Sequence, residues 1–396
     1  MRSGLRLRPS VIFAALALPL AAACTNPGTP AAAPAATTAP AAAAPTAAPA
    51  AKPAAAASPA AAAAATSPAA AASAAPASGS AQQVQAADTG AKCTFDKYAG
   101  GIPKLDLKTV TIGFAQSEKE ANPFRIAETQ SIKDEAAKLG YKLITTNAQS
   151  DLNKEISDIK GMVDQGAQAL IISPLNSEGL DPALDYARGK KVPVMTIDRF
   201  LTTKTACQDY VGWVGSDFVV QGQRAFDALS TATNDDCNLA VLLGAAGVNA
   251  TDDREKGFED QMAAKKSKMK VIAKQAADYE RAKGQTVTAQ LLQAHPEINC
   301  LYAHNDEMAL GAVAALKDAG KKAGDVKILT VDGTKGAVQG IVDGWISGVI
   351  ESNPRFGPLA FKALDDLYGA GVPVKTIISD KEYTKANAAT ELANAY

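Results

Sequence analysis

The residues best suited to chemistry are charged and amide side chains that follow short apolar segments of the chain. They are Arg125, Asp198, Arg199, Arg254, Asn305, Asp332 and Asn353, with the aromatic Phe124 directly before Arg125. Carboxylates and amides accept hydrogen bonds from hydroxyl groups, and a guanidinium group donates several in a planar fork. An aromatic ring covers the apolar CH face of a sugar ring. These types together predict a site for a polyhydroxy ligand, such as a monosaccharide.

Several of these residues could instead have ordinary structural roles. Asp332 could cap a helix, because Asp is favoured at helix N-termini. Arg199 and Arg254 could be surface charges, and Phe124 could belong to the core. The sugar-site hypothesis therefore depends on the set and not on any single member.

Apolar and amphipathic segments alternate from residue 109 onward and predict the elements that position this set. Predicted strands are 110–116, 142–146, 169–173, 192–198, 239–244, 269–275, 300–304, 327–333 and 346–352. Predicted helices are 123–139, 152–165, 178–189, 218–230, 253–264, 281–294, 307–319 and 358–368. Strands without polar alternation, each followed by a helix, indicate parallel sheets covered on both faces. We therefore expect an α/β fold of two doubly wound parallel-sheet domains, with ligands beyond the carboxyl ends of the strands.

The charge balance excludes some classes of partner. Four of the 40 basic residues lie in residues 1–87 and the first acidic residue is Asp88, so residues 88–396 hold 36 basic and 41 acidic residues, a net charge of −5. A mildly acidic body argues against nucleic-acid binding, which usually requires a basic face. With only two histidines, no metal site is expected, and no cofactor is expected either.

The N-terminus is typical of an export signal. Residues 1–23 combine a basic start with the apolar run 11–23, which is too short to span a bilayer as a helix. The run ends in LAAAC, which resembles the lipobox of bacterial lipoproteins and predicts lipidation of Cys24. The alternative is a plain cleaved signal with an incidental cysteine. An extracytoplasmic, lipid-anchored location is the expectation.

Residues 24–87 are predicted to be a disordered tether. Residues 31–80 contain 31 Ala and 8 Pro, with one charge and no aromatic residue. Such a segment lacks the large apolar side chains that offset the entropy cost of ordering. Its frequent prolines also interrupt a continuous helix. We expect it to connect a folded body to the membrane.

The cysteine count is compatible with disulfides in an oxidising compartment. Of five cysteines, Cys24 would carry lipid, which leaves Cys93, Cys207, Cys237 and Cys300 with three possible pairings. Cys237 and Cys300 stand at the starts of predicted strands, so Cys237–Cys300 with Cys93–Cys207 is the favoured pairing. Four buried free thiols are the alternative.

Eight segments in order resemble the type I periplasmic sugar-binding proteins of ABC importers, above all the ribose-binding and galactofuranose-binding proteins. They are GFAQ and NPFRIAET within 113–129, NAQ at 147–149, LIISPLNSEGLDPAL at 170–184, PVMTIDR at 193–199, DREKGFED at 253–260, YAHNDEMALGAVAALKDAG at 302–320 and TVDGTKGAVQGI at 330–341. The resemblance covers about residues 108–385, nearly the whole predicted body.

The resemblance implies two lobes joined by three chain crossings near 211–214, 351–354 and 375–379. The N-terminal lobe would comprise 88–211 and 354–375, and the C-terminal lobe 212–353 and 376–396. It also implies a disulfide between Cys237 and Cys300. The implied mechanism is binding without chemistry: hinge closure buries a sugar and gives a form that an ABC permease recognises.

The resemblance also assigns roles to the candidate residues. Phe124 would be the stacking aromatic, commonly Trp in the galactofuranose branch, and Arg125 the hydroxyl-binding Arg of that branch. The remaining sugar contacts would be Asp198, Arg199, Arg254, Asn305, Asp332 and, near the hinge, Asn353. The cargo would be galactofuranose, another hexose or a pentose.

Three other functions compete with this interpretation. An enzyme would need catalytic residues, but the chain has no GxSxG, HExxH or Walker A motif. A LacI-type repressor shares the fold, yet an apparent export signal occupies the place of its DNA-binding helices. A sugar sensor that presents its closed form to a membrane receptor or kinase stays open as the alternative to transport.

Overall fold

A computed structural model describes residues 84–86 and 91–396. The predicted signal peptide 1–23, the predicted lipid site Cys24 and nearly all of the predicted tether 24–87 lie outside the described residues. In the part that is described, no helix has both the length and the apolar character that crossing a bilayer requires.

The described residues form fifteen strands and ten α-helices. The strands are β1 (Val84–Ala86), β2 (Lys92–Cys93), β3 (Thr111–Gln116), β4 (Lys142–Asn147), β5 (Ala167–Ser173), β6 (Val194–Ile197), β7 (Trp213–Ser216), β8 (Asn238–Leu243), β9 (Lys270–Ala276), β10 (Cys300–Ala303), β11 (Lys327–Asp332), β12 (Gly348–Glu351), β13 (Val372–Pro373), β14 (Lys375–Ile378) and β15 (Glu382–Thr384). The helices are α1 (Pro123–Leu139), α2 (Leu152–Asp164), α3 (Asp181–Gly189), α4 (Phe218–Thr233), α5 (Asn249–Lys265), α6 (Arg281–Ala294), α7 (Asp306–Asp318), α8 (Lys335–Val342), α9 (Gly357–Leu367) and α10 (Ala388–Glu391).

A seven-stranded sheet in the order β1-β14-β7-β6-β5-β3-β4 organises the first lobe. Its strands are parallel except β1, which pairs antiparallel with β14. Alternate residues of β3 and β5 belong to separate core clusters: Ile112 and Ile171 pack on one face, and Leu170 and Ile172 on the other. Both faces are therefore buried, which explains why these strands are apolar without alternation.

A six-stranded sheet in the order β15-β12-β11-β10-β8-β9 organises the second lobe. All neighbours are parallel except β15, which pairs antiparallel with β12. Ala240 and Leu301 pack on one face, and Val241 and Tyr302 on the other. The expectation of an α/β fold with two doubly wound parallel sheets is confirmed.

The chain crosses between the two sheets three times. The crossings lie between β7 and α4, between β12 and α9, and between β14 and β15. Trp213–Ser216 pairs with both β6 and β14, and Lys375–Ile378 pairs with β7. Both strands therefore belong to the first sheet, although the sequence analysis assigned Trp213–Ser216 and residues 376–378 to the C-terminal lobe. The first crossing follows Ser216, slightly later than the expected 211–214, and the third follows Ile378, within the expected 375–379.

Capping side chains set the starts of several helices. Asn122, Asp151, Asp217 and Asn305 each accept a hydrogen bond from a backbone N–H in the first turn of α1, α2, α4 and α7. This satisfies donors that have no partner within the helix. Helix α1 ends at Gly140, whose φ of 73° suits a residue without Cβ. The predicted bounds 123–139 and 281–294 match α1 and α6.

Two cysteine pairs lie at bonding distance. Cys93 pairs with Cys207 and Cys237 pairs with Cys300, which are the pairs favoured by the sequence analysis. Cys237 directly precedes β8 and Cys300 begins β10, and these two strands are neighbours in the second sheet. The bond thus joins two strand starts that are 63 residues apart in sequence.

Removal of the Cys237–Cys300 bond is expected to lower the free energy of unfolding by roughly 2–4 kcal/mol, because the unfolded chain regains the entropy of that loop. The change is Cys237→Ala with Cys300→Ala, and urea unfolding measures it. Peptide mapping without reduction should link 237 to 300 in the wild type. A linkage of either cysteine to another residue contradicts the pairing.

Candidate functional site

A cavity lies between the lobes, at the carboxyl ends of strands from both sheets. The first lobe contributes Glu118, Asn122, Phe124, Arg125, Asp198 and Arg199. The second lobe contributes Ala250, Arg254, Tyr279, Asn305 and Asp332. A ligand in this cavity would contact both lobes at once.

Glu118 joins the two guanidinium groups of the first lobe. Its Oε2 lies 2.8 Å from Arg125 Nε and its Oε1 lies 2.7 Å from Arg199 Nη2. Withdrawal from water opposes ionisation of Glu118, but the charges of Arg125 and Arg199 outweigh it and lower the pKa to about 2. The Asp198 carboxylate lies 2.8 Å from Arg125 Nη1 and 3.8 Å from Arg199 Nε. The four side chains form one fixed ionic network.

Glu128 and Ser173 also fix the orientation of Arg125, and Gln116 in turn holds Glu128. Arg125 Nη1 donates to Glu128 Oε2 at 2.9 Å and to Ser173 Oγ at 3.0 Å. Gln116 Nε2 donates to the same Glu128 oxygen at 2.8 Å. Arg125 is 3% exposed, so this guanidinium group requires these acceptors to offset its lost hydration. Its position is set before any ligand arrives.

Arg254 is held from three sides in the second lobe. Its Nε donates to Gln221 Oε1 at 2.9 Å and its Nη1 donates to the His304 carbonyl oxygen at 2.6 Å. Its Nη2 lies 3.6 Å from Asp332 Oδ1, which is longer than an ordinary hydrogen bond. The Asp332 carboxylate therefore retains capacity to accept hydrogen bonds from a ligand.

The two aspartates that line the cavity both have a positive backbone φ. Asp198 has a φ of 62° and Asp332 a φ of 140°, both in the region that side chains other than glycine rarely adopt. Asp198 follows β6 directly and Asp332 is the last residue of β11. Such strain persists where the surroundings enforce it and is common at binding sites. Here it accompanies two carboxylates that line the cavity.

Burial of Asp332 makes its charged form costly. Withdrawal from water, with the nearby carboxylates of Asp306 and Asp198, raises the pKa of Asp332 well above its usual value, while Arg254 acts in the opposite direction. Asp306 does not line the cavity: its Oδ2 accepts from the backbone N–H groups of Gly333 and Thr334 at 2.9 and 2.7 Å. It holds the turn that directly follows Asp332.

Asn305 has two roles at once. Its Oδ1 accepts from the Met308 N–H at 3.0 Å and caps α7, while its Nδ2 donates to the Tyr279 carbonyl oxygen at 3.4 Å. The Tyr279 hydroxyl is 2.7 Å from Thr251 Oγ1. The Arg199 guanidinium of the first lobe lies 5.9 Å from the centre of the Tyr279 ring, a distance compatible with a cation–π contact.

Phe124 supplies an aromatic wall of the cavity. Its ring contacts Phe356 and Tyr396 edge-on, with ring centres 6.3 and 6.0 Å apart. The Arg125 guanidinium lies 4.9 Å from the Phe124 ring centre. Phe124 therefore belongs to an aromatic cluster and also lines the cavity.

Direct contacts between the lobes close the cavity at one side. Ser177 N donates to the Gly247 carbonyl oxygen at 3.2 Å, and Asn249 N donates to Ser177 Oγ at 2.8 Å. Ser177 follows β5 in the first lobe, and Asn249 begins α5 in the second. The two lobes are thus in contact in this structure.

Seven of the eight sugar contacts expected from the sequence line the cavity: Phe124, Arg125, Asp198, Arg199, Arg254, Asn305 and Asp332. Asn353, although described, is not a lining residue; its Oδ1 accepts from the Arg355 N–H at 3.0 Å, next to a crossing. Four further residues that were not among the sugar contacts expected from the sequence also line the cavity: Glu118, Asn122, Ala250 and Tyr279. Glu118 and Tyr279 follow β3 and β9, so their positions after a strand were the available signal.

Within residues 91–396, no group of three or more His, Cys, Asp or Glu side chains could hold a metal ion.

Glu155 supports the loop that holds Arg199. Its Oε2 accepts from the Leu175 N–H at 3.1 Å, and Arg199 Nη1 donates to the Leu175 carbonyl oxygen at 2.5 Å. Glu155 is fully buried. Withdrawal from water raises the pKa of Glu155 to about 8, although the Leu175 N–H and the Arg199 charge act in the opposite direction.

Comparisons with known proteins agree with this fold. The family profile described as "Periplasmic binding protein domain" matches residues 112–371. The ribose import binding protein RbsB of Bacillus subtilis (strain 168) is 38% identical over 272 residues, which is 68% of this chain and 85% of that protein. The resemblance to periplasmic sugar-binding proteins found in the sequence is confirmed.

Two solved structures are similar over most of their length. One is a galactofuranose binding protein, with a TM-score of 0.69 and 31% identity over 72% of this chain and 98% of its own. The other is the binding protein of the arabinose ABC transporter from Shewanella sp. ANA-3, bound to α- and β-L-arabinofuranose. It has a TM-score of 0.68 and 31% identity over 71% of this chain and 94% of its own.

Glu155→Gln is expected to reduce the loss of stability that the protein suffers as pH rises from about 4 to about 8. The carboxyl has a pKa of about 8 when folded and about 4.3 in an unfolded chain. Between those values the folded state holds a proton that the unfolded state has released, so the free energy of unfolding falls as pH rises. The amide has no proton to lose in this window.

Thermal unfolding at about pH 4 and about pH 8.5 measures this difference, since the window set by the two pKa values lies between them. Glu120→Gln, at an exposed site, is the matched control and should change with pH as the wild type does. An equal fall in melting temperature for Glu155→Gln and the wild type contradicts the prediction.

Proposed function

Because this chain belongs to the family of periplasmic binding protein domains, we propose that it captures a monosaccharide between its two lobes and delivers it to an ABC permease. The observation that carries the proposal is the interlobe cavity, in which oriented guanidinium groups and carboxylates of both lobes face one space. The names of its relatives, for ribose, galactofuranose and arabinose, support a sugar as the ligand.

The proposed recognition uses fixed donors and acceptors. Each sugar hydroxyl donates one hydrogen bond and accepts others. Arg125, Arg199 and Arg254 would donate, whereas Asp198 and Asp332 would accept. Their partners in the protein hold these groups in place, which limits the entropy cost of ordering them on binding. An analogue that lacks one hydroxyl would leave a polar group of the site unpaired and bind more weakly.

Phe124 would complete the site with an apolar surface. The galactofuranose branch commonly has Trp at this place, and the smaller ring here keeps stacking on the sugar but changes the area it covers. Galactofuranose, another hexose or a pentose is the proposed cargo. Asn305 would contribute its amide from the opposite lobe.

Closure would follow from the division of the site between lobes. Phe124, Arg125, Asp198 and Arg199 would bind one side of the sugar, and Arg254, Asn305 and Asp332 the other. Only a closed arrangement brings both sides to one ligand, so sugar binding would shift the open–closed equilibrium towards closure. A permease would then recognise the closed form. No chemical step on the sugar is part of the proposal.

We place the protein on the outer face of the cell membrane, anchored through lipid at Cys24. The support for this comes from the sequence: the LAAAC segment resembles a lipobox, and a long Ala- and Pro-rich segment follows it. A chain of about 63 disordered residues has a root-mean-square span of roughly 45 Å. Such a tether would let the two lobes reach a permease in the same membrane.

A thermal-shift screen against aldopentoses, aldohexoses and galactofuranose tests the proposed function. The protein is first unfolded and refolded to remove any sugar carried through purification. A sugar at 1,000 times its dissociation constant is expected to add about 4 kcal/mol to the free energy of unfolding. A rise with one sugar and not with its epimers supports the proposal, and no rise with any of them contradicts it.

Asp332→Asn and Arg254→Ala are expected to weaken binding of the identified sugar roughly tenfold or more, because each removes a charged hydrogen-bonding partner. Titration calorimetry measures the affinity. Lys256→Ala is the matched control: Lys256 is exposed and lies two residues from Arg254 on α5. If Asp332→Asn and Arg254→Ala bind like Lys256→Ala, the proposed site is wrong.

Cys24→Ser is expected to abolish lipid attachment and release the protein from the membrane fraction. Incorporation of labelled palmitate in cells and fractionation measure both effects. Thr25→Ser, at the neighbouring position, should keep the label. Label retained by Cys24→Ser would exclude lipidation at this cysteine.

A further inference from the structure

The three crossings between the lobes meet at one side chain, Asp380. Asp380 itself lies on the third crossing, between β14 and β15. Its Oδ1 accepts from Ser216 Oγ, at the end of β7 before the first crossing, at 3.0 Å. The same oxygen lies 3.4 Å from the backbone N of Asn353, on the second crossing. One carboxylate therefore binds to all three segments about which the lobes would rotate.

Gln221 connects this carboxylate to the sugar cavity. Its Nε2 donates to Asp380 Oδ2 at 2.8 Å and to the Glu351 carbonyl oxygen at 3.2 Å. Its Oε1 accepts from Arg254 Nε at 2.9 Å. Gln221 lies in the first turn of α4 and is 1% exposed.

The chemistry of the partners fixes which way the Gln221 amide points. A guanidinium group has no acceptor, so Arg254 must face the amide oxygen. In its ionised form the Asp380 carboxylate has no donor, and neither has the Glu351 carbonyl, so both face the NH₂ group. A flipped amide would lose all three contacts. The amide is thus a directional link between the hinge and Arg254.

We infer that Gln221 is a positioning residue that couples closure of the two lobes to the orientation of the sugar-binding Arg254 through Asp380. Rotation about the crossings displaces Ser216 of the first lobe relative to α4, while Arg224 holds the Asp380 backbone against α4. The Asp380 carboxylate cannot then keep both Ser216 and Gln221 as donors in their present geometry, so its contact with Gln221, which orients Arg254, changes with closure. A ligand that holds Arg254 favours the opposite, closed geometry. The inference rests on the proposed sugar binding at Arg254.

Other charged groups surround Asp380 from each packed element. Glu351 of β12 binds Lys381 N and the Tyr383 hydroxyl through its own carboxylate. Arg224 of α4 donates to the carbonyl oxygens of Asp380 and Lys381 at 2.9 and 3.0 Å. Arg224 therefore holds the backbone of this segment, which leaves Gln221 and Ser216 as the side chains that donate to the Asp380 carboxylate.

A charge exchange tests the coupling. At a pH well above about 7, the value to which burial raises the pKa of Asp380, Gln221→Glu alone places two carboxylates face to face. The sugar-free protein should then open and its affinity for sugar should fall roughly tenfold, within the range of coupling between contacting residues. Adding Asp380→Asn to Gln221→Glu restores one donor against one acceptor between positions 221 and 380 and keeps the contact to Arg254, while the Glu351 carbonyl oxygen stays without its Gln221 donor. The double variant should return opening and affinity to within about threefold of the wild type.

Two separate measurements are made on the purified protein. The radius of gyration from small-angle X-ray scattering without sugar reports opening, and calorimetric titration with the sugar found in the screen reports affinity. Gln285→Glu is the matched control, because Gln285 Nε2 donates to Asp318 Oδ2 at 2.9 Å on the surface of the same lobe. It creates a similar pair of carboxylates away from the hinge and should change neither quantity.

The outcomes separate the inference from the proposed function. If no sugar binds the wild type, the proposed function fails while scattering still tests the hinge. Unchanged opening in Gln221→Glu overturns the inference, and so does an opened single variant that Asp380→Asn does not restore. If Gln221→Glu does not fold, Gln221→Met replaces it. That variant removes all three side-chain hydrogen bonds of Gln221 at similar volume and should open the hinge; wild-type scattering from it would overturn the inference.

Discussion

Three guanidinium groups withdrawn from water impose the main constraint on this molecule. Arg125, Arg199 and Arg254 are each less than 5% exposed, and a buried charge is tolerated only with charged or hydrogen-bonding partners around it. Glu118 and Asp198 compensate the first two, whereas Arg254 depends on Gln221 Oε1 and the His304 carbonyl oxygen. The same partners fix the directions in which the three groups can donate. The contacts that make the buried charges tolerable therefore also determine which ligand hydroxyls the site can bind.

Parallel sheets make such a network possible. Strand ends at one edge of each sheet bring residues that are far apart in sequence into one cleft: Arg125 and Asp198 are 73 positions apart yet form an ion pair of 2.8 Å. The helices that follow the strands are capped by side chains, and Asn305 serves both a helix and the cavity. Positive φ values at Asp198 and Asp332 show that the cleft holds these two residues in costly conformations.

The sequence predicted the parts of this arrangement that depend on local pattern. Helices α1 and α6 were predicted with their observed bounds, since apolar spacing and terminal residues specify them locally. Strand β7, with the sequence WVGS, was missed because it is short, contains Gly and Ser, and is defined by pairing with β6 and β14. Glu118 was missed for a similar reason: nothing near it in sequence indicates that two arginines will share its carboxylate. Its role arises only when the loop after β3, helix α1 with Arg125 and the loop after β6 with Arg199 come together in the fold.

The electrostatics of Asp332 give a physical reason for the cleft to close on a ligand and not without one. In the closed arrangement, withdrawal from water and the carboxylates of Asp306 and Asp198 disfavour its ionised form. A hydroxyl that donates to Asp332 stabilises that form and offsets part of this cost. In an open cleft, water would solvate Asp332 instead, so the ligand's contribution is larger in the closed form. This difference in affinity between the two arrangements is what allows a small ligand to shift the equilibrium between them.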